Sequence, residues 1–410
     1  MIKNWLKHIG PGPLVAAAFI GPGTVTVCTL AGVNFGYALL WALLLSVFAT
    51  VILQEMSARL GIISQKGLSE VLREELKHPL IRMFALILIL SAIVIGNAAY
   101  EAGNISGGIL GLEALFGTAE ISVGSQTLNL WSVLIGILAF MLLFIGNYKL
   151  LERTFIGLVI VMSLAFIITA IITKPDLTEI LKGLVIPELS EESVLTVIAL
   201  VGTTVVPYNL FLHASLVKEK WTSRSDLKYA RKDTLLAVIL GGIVSMCIVI
   251  SASAIKDVEV SSAADLALGI VPLFGDLASY VMSIGLFAAG ITSAITAPLA
   301  AAYVASGCLG WSTNLKSKRF RMVWLFILLL GVIFSSIGFK SIEIIKFAQV
   351  ANGLLLPIIA GFLLWIMNRT SILGEHKNTI MQNVFGFVIL GITIFLGLKS
   401  ILKVFNIAWL

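Results

Sequence analysis

Charged side chains are scarce in this sequence. Aspartate, glutamate, lysine and arginine make up 12% of its 410 residues, about half their share in an average soluble protein. Hydrophobic residues make up 59%, and apolar runs long enough to cross a bilayer recur along the whole chain. The polar stretches between them are about as long as loops. This composition predicts an all-α integral membrane protein with many spans and excludes a separate soluble domain.

Cysteine and histidine are also rare. Cys28, Cys247 and Cys308 lie in or beside apolar segments without the spacing of metal ligands, so they are predicted to be packing residues. There is no glycine-rich nucleotide loop, no nucleophile–base pair and no His/Cys cluster. We therefore predict neither an enzyme nor a resident cofactor, with Na⁺ considered only as a coupling ion.

Eleven apolar segments are each long enough to cross a bilayer. They lie at about 12–32, 37–61, 80–112, 126–147, 152–173, 193–217, 234–255, 270–307, 321–339, 344–367 and 379–403.

The positive charge is distributed unevenly between alternate loops. With the N-terminus inside the cell, 21 of the 28 lysine and arginine residues face the cytoplasm. This asymmetry predicts a multi-pass protein of the cell (plasma) membrane with a cytoplasmic N-terminus and an external C-terminus. The net charge of +6 then reflects loops beside anionic lipid. It gives no reason to expect a nucleic-acid partner, and the oligomeric state stays open.

Two of the apolar runs are interrupted near their centres. Gly21–Gly23 is Gly-Pro-Gly, and Pro207 follows two valines in the sixth run. Proline removes a backbone donor and glycine permits unusual backbone angles, so both places favour unwinding. If the first ten spans form two five-helix repeats, the breaks correspond, which is typical of a transporter's binding site. The alternatives are kinks in packed helices, or a channel or receptor, although a channel needs a continuous polar path.

Five stretches carry a family resemblance: IGPGPLVAAAFIGPGT, LLWALLLSVFATVILQEMSARLGI, VVPYNLFLHASLV, GLFAAGITSAITAPLAAAYVASG and FAQVANGLLLPIIAG. They resemble the Nramp family of divalent-metal transporters over nearly the whole chain. The resemblance implies a LeuT/APC-type fold with 11 transmembrane helices, two inverted five-helix repeats, helices 1 and 6 broken, and alternating access. It implies one transporter domain over 1–410, with repeat one at about 12–173, repeat two at about 193–367 and an extra helix at about 379–403.

The resemblance fails at the substrate site. Metal-carrying members have Asp-Pro-Gly-Asn in the first span and a methionine ligand in the sixth. Here the aspartate, asparagine and methionine are replaced by Gly21, Thr24 and Val206. Thr203 aligns with the residue that offers a carbonyl, and Tyr208 replaces the first histidine of that span. Because soft or anionic donors select transition metals, we predict no metal site of transition-metal type.

Loss of the carboxylate changes the expected substrate. The starts of half-helices carry free amides with partial positive charge, which suit a small anion. Our sequence hypothesis is a small inorganic ion as partner, preferably an anion such as bicarbonate, in possible symport with sodium. A divalent cation (Mn, Fe or Mg), proton-coupled or uncoupled, and a small neutral amino acid are the alternatives. The substrate-binding candidates are Gly21, Pro22, Gly23, Thr24, Thr203, Val206, Tyr208, Asn209, Gln349 and Asn352.

Four further residues are candidates for coupling or gating. The resemblance links Glu101 with proton movement and His213 with a proton relay or gate. Thr292 and Ser293 occupy the positions at which sodium-coupled members of the wider fold supply hydroxyl ligands to a sodium ion. Backbone carbonyls near residues 17–19 would complete the set of oxygen ligands around that ion. Each of these side chains has a structural alternative, namely a hydrogen bond or close packing between helices. Gln349 and Asn352 have the same alternative.

Overall fold

The computed structural model describes residues 20–123, 126–146 and 149–404. Twelve helices of at least 11 residues, labelled α1 to α12, form the membrane part of this described chain. They are α1 Pro22–Phe35, α2 Leu40–Ser64, α3 Pro79–Phe116, α4 Leu130–Ile145, α5 Lys149–Ile172, α6 Val194–Thr204, α7 Pro207–Lys220, α8 Leu227–Ala252, α9 Ala278–Leu309, α10 Lys318–Ser336, α11 Ser341–Met367 and α12 Ile380–Val404.

Short helices join the long ones. They are Leu68–Glu75, Leu177–Val185, Ala263–Ala267, Val271–Phe274 and Thr370–Leu373, with 3-10 turns at Arg224–Asp226, Leu268–Ile270, Gly275–Leu277 and Gly374–His376.

The helices agree with the predicted spans. Nine helical segments in the described chain are long and apolar enough to cross a membrane, α6 and α7 together counting as one, and α4 is a shorter apolar helix. Helix α1 supplies the second part of the first span, whose residues 12–19 lie outside the described residues. The break in the sixth span is present, because α6 ends at Thr204 and α7 begins at Pro207.

A small β-hairpin corrects the predicted start of the fourth span. Residues 126–129 were expected to be helical, but Gln126–Asn129 (β2) pairs antiparallel with Glu120–Val123 (β1). The amide nitrogen of Trp131 donates to the side chain of Asn129 over 3.0 Å. This cap satisfies a free donor at the helix start, and α4 therefore begins at Leu130.

The predicted eighth span begins with turns. The run at 270–307 is longer than one crossing needs, so tilt or turns outside the membrane were expected there, and α9 begins only at Ala278. Pro272 opens a separate short helix, and Gly275 ends it with a φ of +51°. The left-handed backbone at Gly275 is accessible to glycine at little cost, so the chain turns there before entering the membrane.

Helices α3 and α9 pack backbone to backbone at the centre. A methyl group added to Gly290 of α9 would lie 2.7 Å from the backbone nitrogen of Gly108 in α3. Small residues allow membrane helices to approach this closely. Helix α9 is accordingly rich in alanine, glycine, serine and threonine, and most of it is buried. This packed pair forms a support for the two interrupted spans.

Candidate functional site

The first interruption places the start of a helix inside the protein. Gly21 is extended, with φ −93° and ψ −177°, and Pro22 is the first residue of α1. The first turn of α1 contains no acidic residue, and no side chain caps it. Pro22 lies against Gly107 of α3, where an added methyl group would overlap the proline ring. Glycine at this position therefore lets the start of α1 dock on α3.

The second interruption has the same organisation. Val206 is extended, with φ −74° and ψ 118°, and Pro207 is the first residue of α7. This helix also begins without an acidic residue in its first turn and without a side-chain cap. Each break therefore presents a half-helix start to its surroundings, where backbone amides have no helical partner.

One hydrogen bond joins the two interrupted spans. The hydroxyl oxygens of Thr24 in α1 and Thr203 in α6 lie 2.8 Å apart, and both residues are almost fully buried. Thr24 follows the first break by a few residues, and Thr203 lies just before the second. The two candidates thus meet. We call the region where α1, α6, α7 and α11 come together the crossing.

Helix α11 closes the crossing through Gln349. A methyl group added to Gly23 would lie 2.6 Å from Cδ of Gln349, so this side chain lies directly over Gly23. Gly202 of α6 lies against the backbone of α11, because a methyl group there would be 2.7 Å from the nitrogen of Gly353. The structure therefore brings Gln349 together with Gly23, Thr24 and Thr203. Asn352, one turn further on, lies near Gly96 of α3 instead.

Three buried amide side chains have atoms without a hydrogen-bond partner in the described part of the chain. They are Oδ1 of Asn209, Oε1 of Gln349 and Nδ2 of Asn352, and each residue is at most 2% exposed. Buried polar atoms in proteins are nearly always hydrogen-bonded, to protein or to water. The unpartnered oxygens of Asn209 and Gln349 lie beside the two unwound spans and indicate a place where a polar solute or water is bound.

Tyr208 occupies the first turn of α7 and is fully buried. Its ring meets that of Tyr100 of α3 edge to face, with centroids 5.2 Å apart. Val206 is also fully buried. Both side chains fill space at the second break, and the aromatic pair fixes the start of α7 against α3.

Glu101 lies in the interface between α3 and α10. Its Cβ would be 2.9 Å from a methyl group added to Gly331 of α10. The carboxylate is fully buried, and its Oε2 accepts from Nδ2 of Asn104 over 3.4 Å. Glu101 also follows Tyr100, whose ring contacts Tyr208 at the second break, so the structure places this candidate near one of the substrate candidates.

His213 bridges α7 to two other helices. Its Nδ1 lies 2.6 Å from Oε1 of Gln54 in α2, so Nδ1 donates, and its Nε2 lies 3.5 Å from the hydroxyl of Thr234 in α8. Gln54 was not among the candidates predicted from the sequence. The available signal was an amide side chain next to Glu55 within the second span.

The two hydroxyl candidates on α9 differ from each other. Thr292 donates its hydroxyl to the carbonyls of Ala288 and Ala289 in its own helix, both over 3.0 Å. Ser293 is buried, and its hydroxyl has no partner in the described residues. The carbonyls near 17–19 expected to complete a sodium cage lie outside the described residues.

The donors at the crossing are neutral. Within the described chain, no three histidine, cysteine, aspartate or glutamate residues lie close enough to hold a metal ion together. Thr24, Thr203, Asn209 and Gln349 offer hydroxyl and amide oxygens. These are ligands for hard, oxygen-preferring ions, and they do not select iron or manganese.

Comparison with known proteins identifies the family. A family model described as "Natural resistance-associated macrophage protein-like" matches residues 12–403. A "Divalent metal cation transporter MntH" of Yersinia pestis (strain Pestoides F) is 26% identical over 414 residues, covering 98% of this chain and 96% of that protein.

Solved structures share the fold. A manganese transporter of Eremococcus coleocola, in complex with an aromatic bis-isothiourea compound, superposes with a TM-score of 0.76 at 23% identity, covering 97% of this chain and 87% of that one. MhsT in complex with L-phenylalanine superposes with a TM-score of 0.58 at 16% identity, covering 96% and 98%. The fold is of the LeuT type, as the sequence predicted.

The expected partner requires correction. It was expected to be a small inorganic ion, preferably an anion. The matching proteins are named for manganese or divalent metal cations, which contradicts the anion. The preference for an anion rested on the missing carboxylate and on the free amides of the half-helix starts.

Members of the matched family are transporters, which agrees with the prediction that the chain is not an enzyme. The match extends over nearly the whole chain. The two interrupted spans, the long apolar helices and the fold agree with it. This protein belongs to the Nramp family of multi-pass membrane transporters.

Proposed function

We propose that this transporter carries a divalent metal cation that keeps much of its hydration shell, with Mg²⁺ preferred over Mn²⁺ and Fe²⁺. The observation that carries the proposal is the pair of buried, unpartnered amide oxygens of Asn209 and Gln349 at the crossing. Together with the hydroxyls of Thr24 and Thr203, they form a set of neutral oxygens. A matching protein is named for divalent metal cations, which supports a substrate of the same charge.

Hydration explains how such a site works without a carboxylate. A bare dication in a neutral, buried pocket would lose far more hydration energy than neutral oxygens return. Mg²⁺ sheds water reluctantly and is commonly bound through retained waters. Amide and hydroxyl oxygens then accept hydrogen bonds from those waters instead of replacing them. A soft thioether, which would favour transition metals over Mg²⁺, is missing at Val206, and a carboxylate is missing at Gly21 of the first break.

All ten substrate-binding candidates predicted from the sequence remain part of this proposal. Of the two candidates on α11, Gln349 lies nearer to the first break. Coupling through Glu101, His213, Thr292 or Ser293 stays a prediction. The division into one domain with two repeats and an added helix also stays a prediction, as does the N-inside, C-outside orientation in the cell membrane.

Uptake into proteoliposomes tests the proposal. Parallel samples contain Mg²⁺, Mn²⁺, bicarbonate, chloride or alanine, each with a sodium gradient, a proton gradient or none. We expect saturable Mg²⁺ uptake, stimulated by internal Mg²⁺, and weaker Mn²⁺ uptake. Bicarbonate or alanine uptake without metal uptake would overturn the proposal. Uptake of bicarbonate would instead agree with anion binding at the two half-helix starts, because neither has an acidic residue in its first turn.

A further inference from the structure

A groove opens on the membrane-facing side of the protein between the start of α3 and the end of α11. Its volume is about 690 Å³. A second hollow of about 510 Å³ adjoins it and continues towards α12. Both are lined by Gly361, Trp365 and Arg369 of the α11 end. The side chains of Trp365 and Arg369 therefore form a ridge with a hollow on each side.

The walls of the groove follow helical spacing. Ile81, Ala85 and Leu88 line it from α3, and Ile358, Phe362 and Trp365 line it from α11. Within each set the residues are four and then three positions apart, which places them on one helix face. Seven residues of helix rise by roughly 10 Å. The groove is thus lined by apolar side chains and runs along the two helices into the bilayer.

Positive charge is confined to one end of this groove. Lys77 lines it just before α3 begins, and Arg369 lines it just after α11 ends. The guanidinium of Arg369 is held over the ring of Trp365, with its carbon 4.3 Å from the ring centroid. The charges therefore lie where the two helices leave the membrane, and the apolar walls lie deeper.

One carboxylate shares this end. Oε1 of Glu75 lies 3.9 Å from Nε of Arg369 and also accepts from the hydroxyl of Ser371 over 3.2 Å. The ion pair is long, and the side chain of Arg369 is 43% exposed. Lys77 is exposed as well and adds a second cation. The polar end therefore keeps a net positive charge.

We propose that this groove binds one phospholipid with an anionic headgroup. The phosphate lies at Arg369 and Lys77, and the two acyl chains lie in the hollows on either side of Trp365. Apolar walls with a cationic end match this molecule in charge and in shape, and basic pockets between membrane helices are known to bind such headgroups.

Gly361 provides a substitution that fills the groove without disturbing the protein. A methyl group added there meets no atom within 4 Å. Gly391 of α12 is a matched control, because an added methyl group there also meets nothing within 4 Å and Gly391 lines neither hollow. The variants are Gly361→Phe, Gly391→Phe and the double variant Lys77→Gln/Arg369→Gln.

The full chain is purified in mild detergent, and retained lipid is measured by native mass spectrometry with phosphatidylglycerol or phosphatidylcholine. We expect the parent to retain phosphatidylglycerol at least tenfold better than phosphatidylcholine. Gly361→Phe and the double variant should lower phosphatidylglycerol retention about tenfold, while Gly391→Phe should match the parent. If Gly361→Phe does not fold, the double variant decides. Equal retention of both lipids, unchanged retention in the double variant, or full competition by free glycerol phosphate would overturn the proposal.

Discussion

The hydroxyl oxygens of Thr24 and Thr203 are hydrogen-bonded to each other across the two interrupted spans, at a distance of 2.8 Å. A hydroxyl has one proton and two lone pairs. In this pair one proton is shared between the two oxygens. The contact therefore links α1 to α6 and places two hydroxyl oxygens at the crossing.

Removal of this hydroxyl pair should impair transport more than folding. We expect Thr24→Val/Thr203→Val to lower saturable uptake at least tenfold, because both oxygens leave the crossing while the side-chain volume is kept. One intramolecular hydrogen bond contributes about 0.5–1.5 kcal/mol, so the melting temperature in detergent should fall only slightly. Thr26→Val is the control, since Thr26 is buried on the same helix and its hydroxyl has no partner in the described chain. Unchanged uptake in the double variant would exclude these oxygens from the site.

The two glycines beside Gln349 should respond differently to alanine. At Gly23 the added methyl group meets the amide end of the Gln349 side chain, which can rotate away. Gly23→Ala should therefore reduce uptake with little loss of stability. At Gly202 the methyl group meets the backbone of α11, which cannot move freely. Gly202→Ala should cost about 1–3 kcal/mol of stability. Melting curves and uptake rates measured together check this contrast, and equal melting temperatures would contradict it.

The sequence predicted those features that depend on local chemistry. Both breaks were located from proline and glycine, because these residues alter the backbone where they stand. The bond between Thr24 and Thr203 could not be predicted, although both were candidates, because it depends on how distant helices pack. The same limit hid Gln54 as the partner of His213. Residues 126–129 were misassigned because a short strand next to an apolar run is identified only by its pairing with residues 120–123.

Restoring the ligands that the resemblance assigns should create a site for manganese. Gly21→Asp/Thr24→Asn/Val206→Met adds a carboxylate, an amide and a thioether at the two breaks. We expect about a tenfold gain in Mn²⁺ affinity by titration calorimetry, with only partial recovery of transport, because the residues that orient metal ligands have not been restored. The control replaces Gly21 with asparagine in the same triple variant and so tests the charge alone. Equal Mn²⁺ affinity in the two variants would show that the carboxylate does not bind the ion.

Neutralising Glu101 separates proton coupling from substrate binding. Glu101→Gln keeps an oxygen that can accept from Asn104 but cannot exchange a proton. If Glu101 carries the coupled proton, uptake driven by a proton gradient should fall at least tenfold, while exchange of internal for external substrate persists. Glu113→Gln is a matched control on the same helix, where the carboxylate accepts from Asn129 over 2.9 Å. A parent-like response of Glu101→Gln to the proton gradient would leave Glu101 as a packing residue.

Arg59 should be important for stability, because it connects three parts of the protein. It is 2% exposed, and its guanidinium donates to the carbonyl of His376 and to Oδ1 of Asn378, each over 2.8 Å. It also pairs with Glu55, which pairs in turn with Arg231 of α8. Arg59→Leu leaves Glu55 paired but deprives a buried acceptor on Asn378 and a half-buried one on His376 of their donor, at about 1–3 kcal/mol.

Arg231→Leu is the matched control for this effect. It removes a half-exposed partner of the same carboxylate, and exposed ion pairs contribute at most about 1 kcal/mol. Melting temperatures in detergent should therefore fall further for Arg59→Leu than for Arg231→Leu. The opposite order would mean that Glu55 owes its position to α8, and that the segment between α11 and α12 is held by contacts other than Arg59.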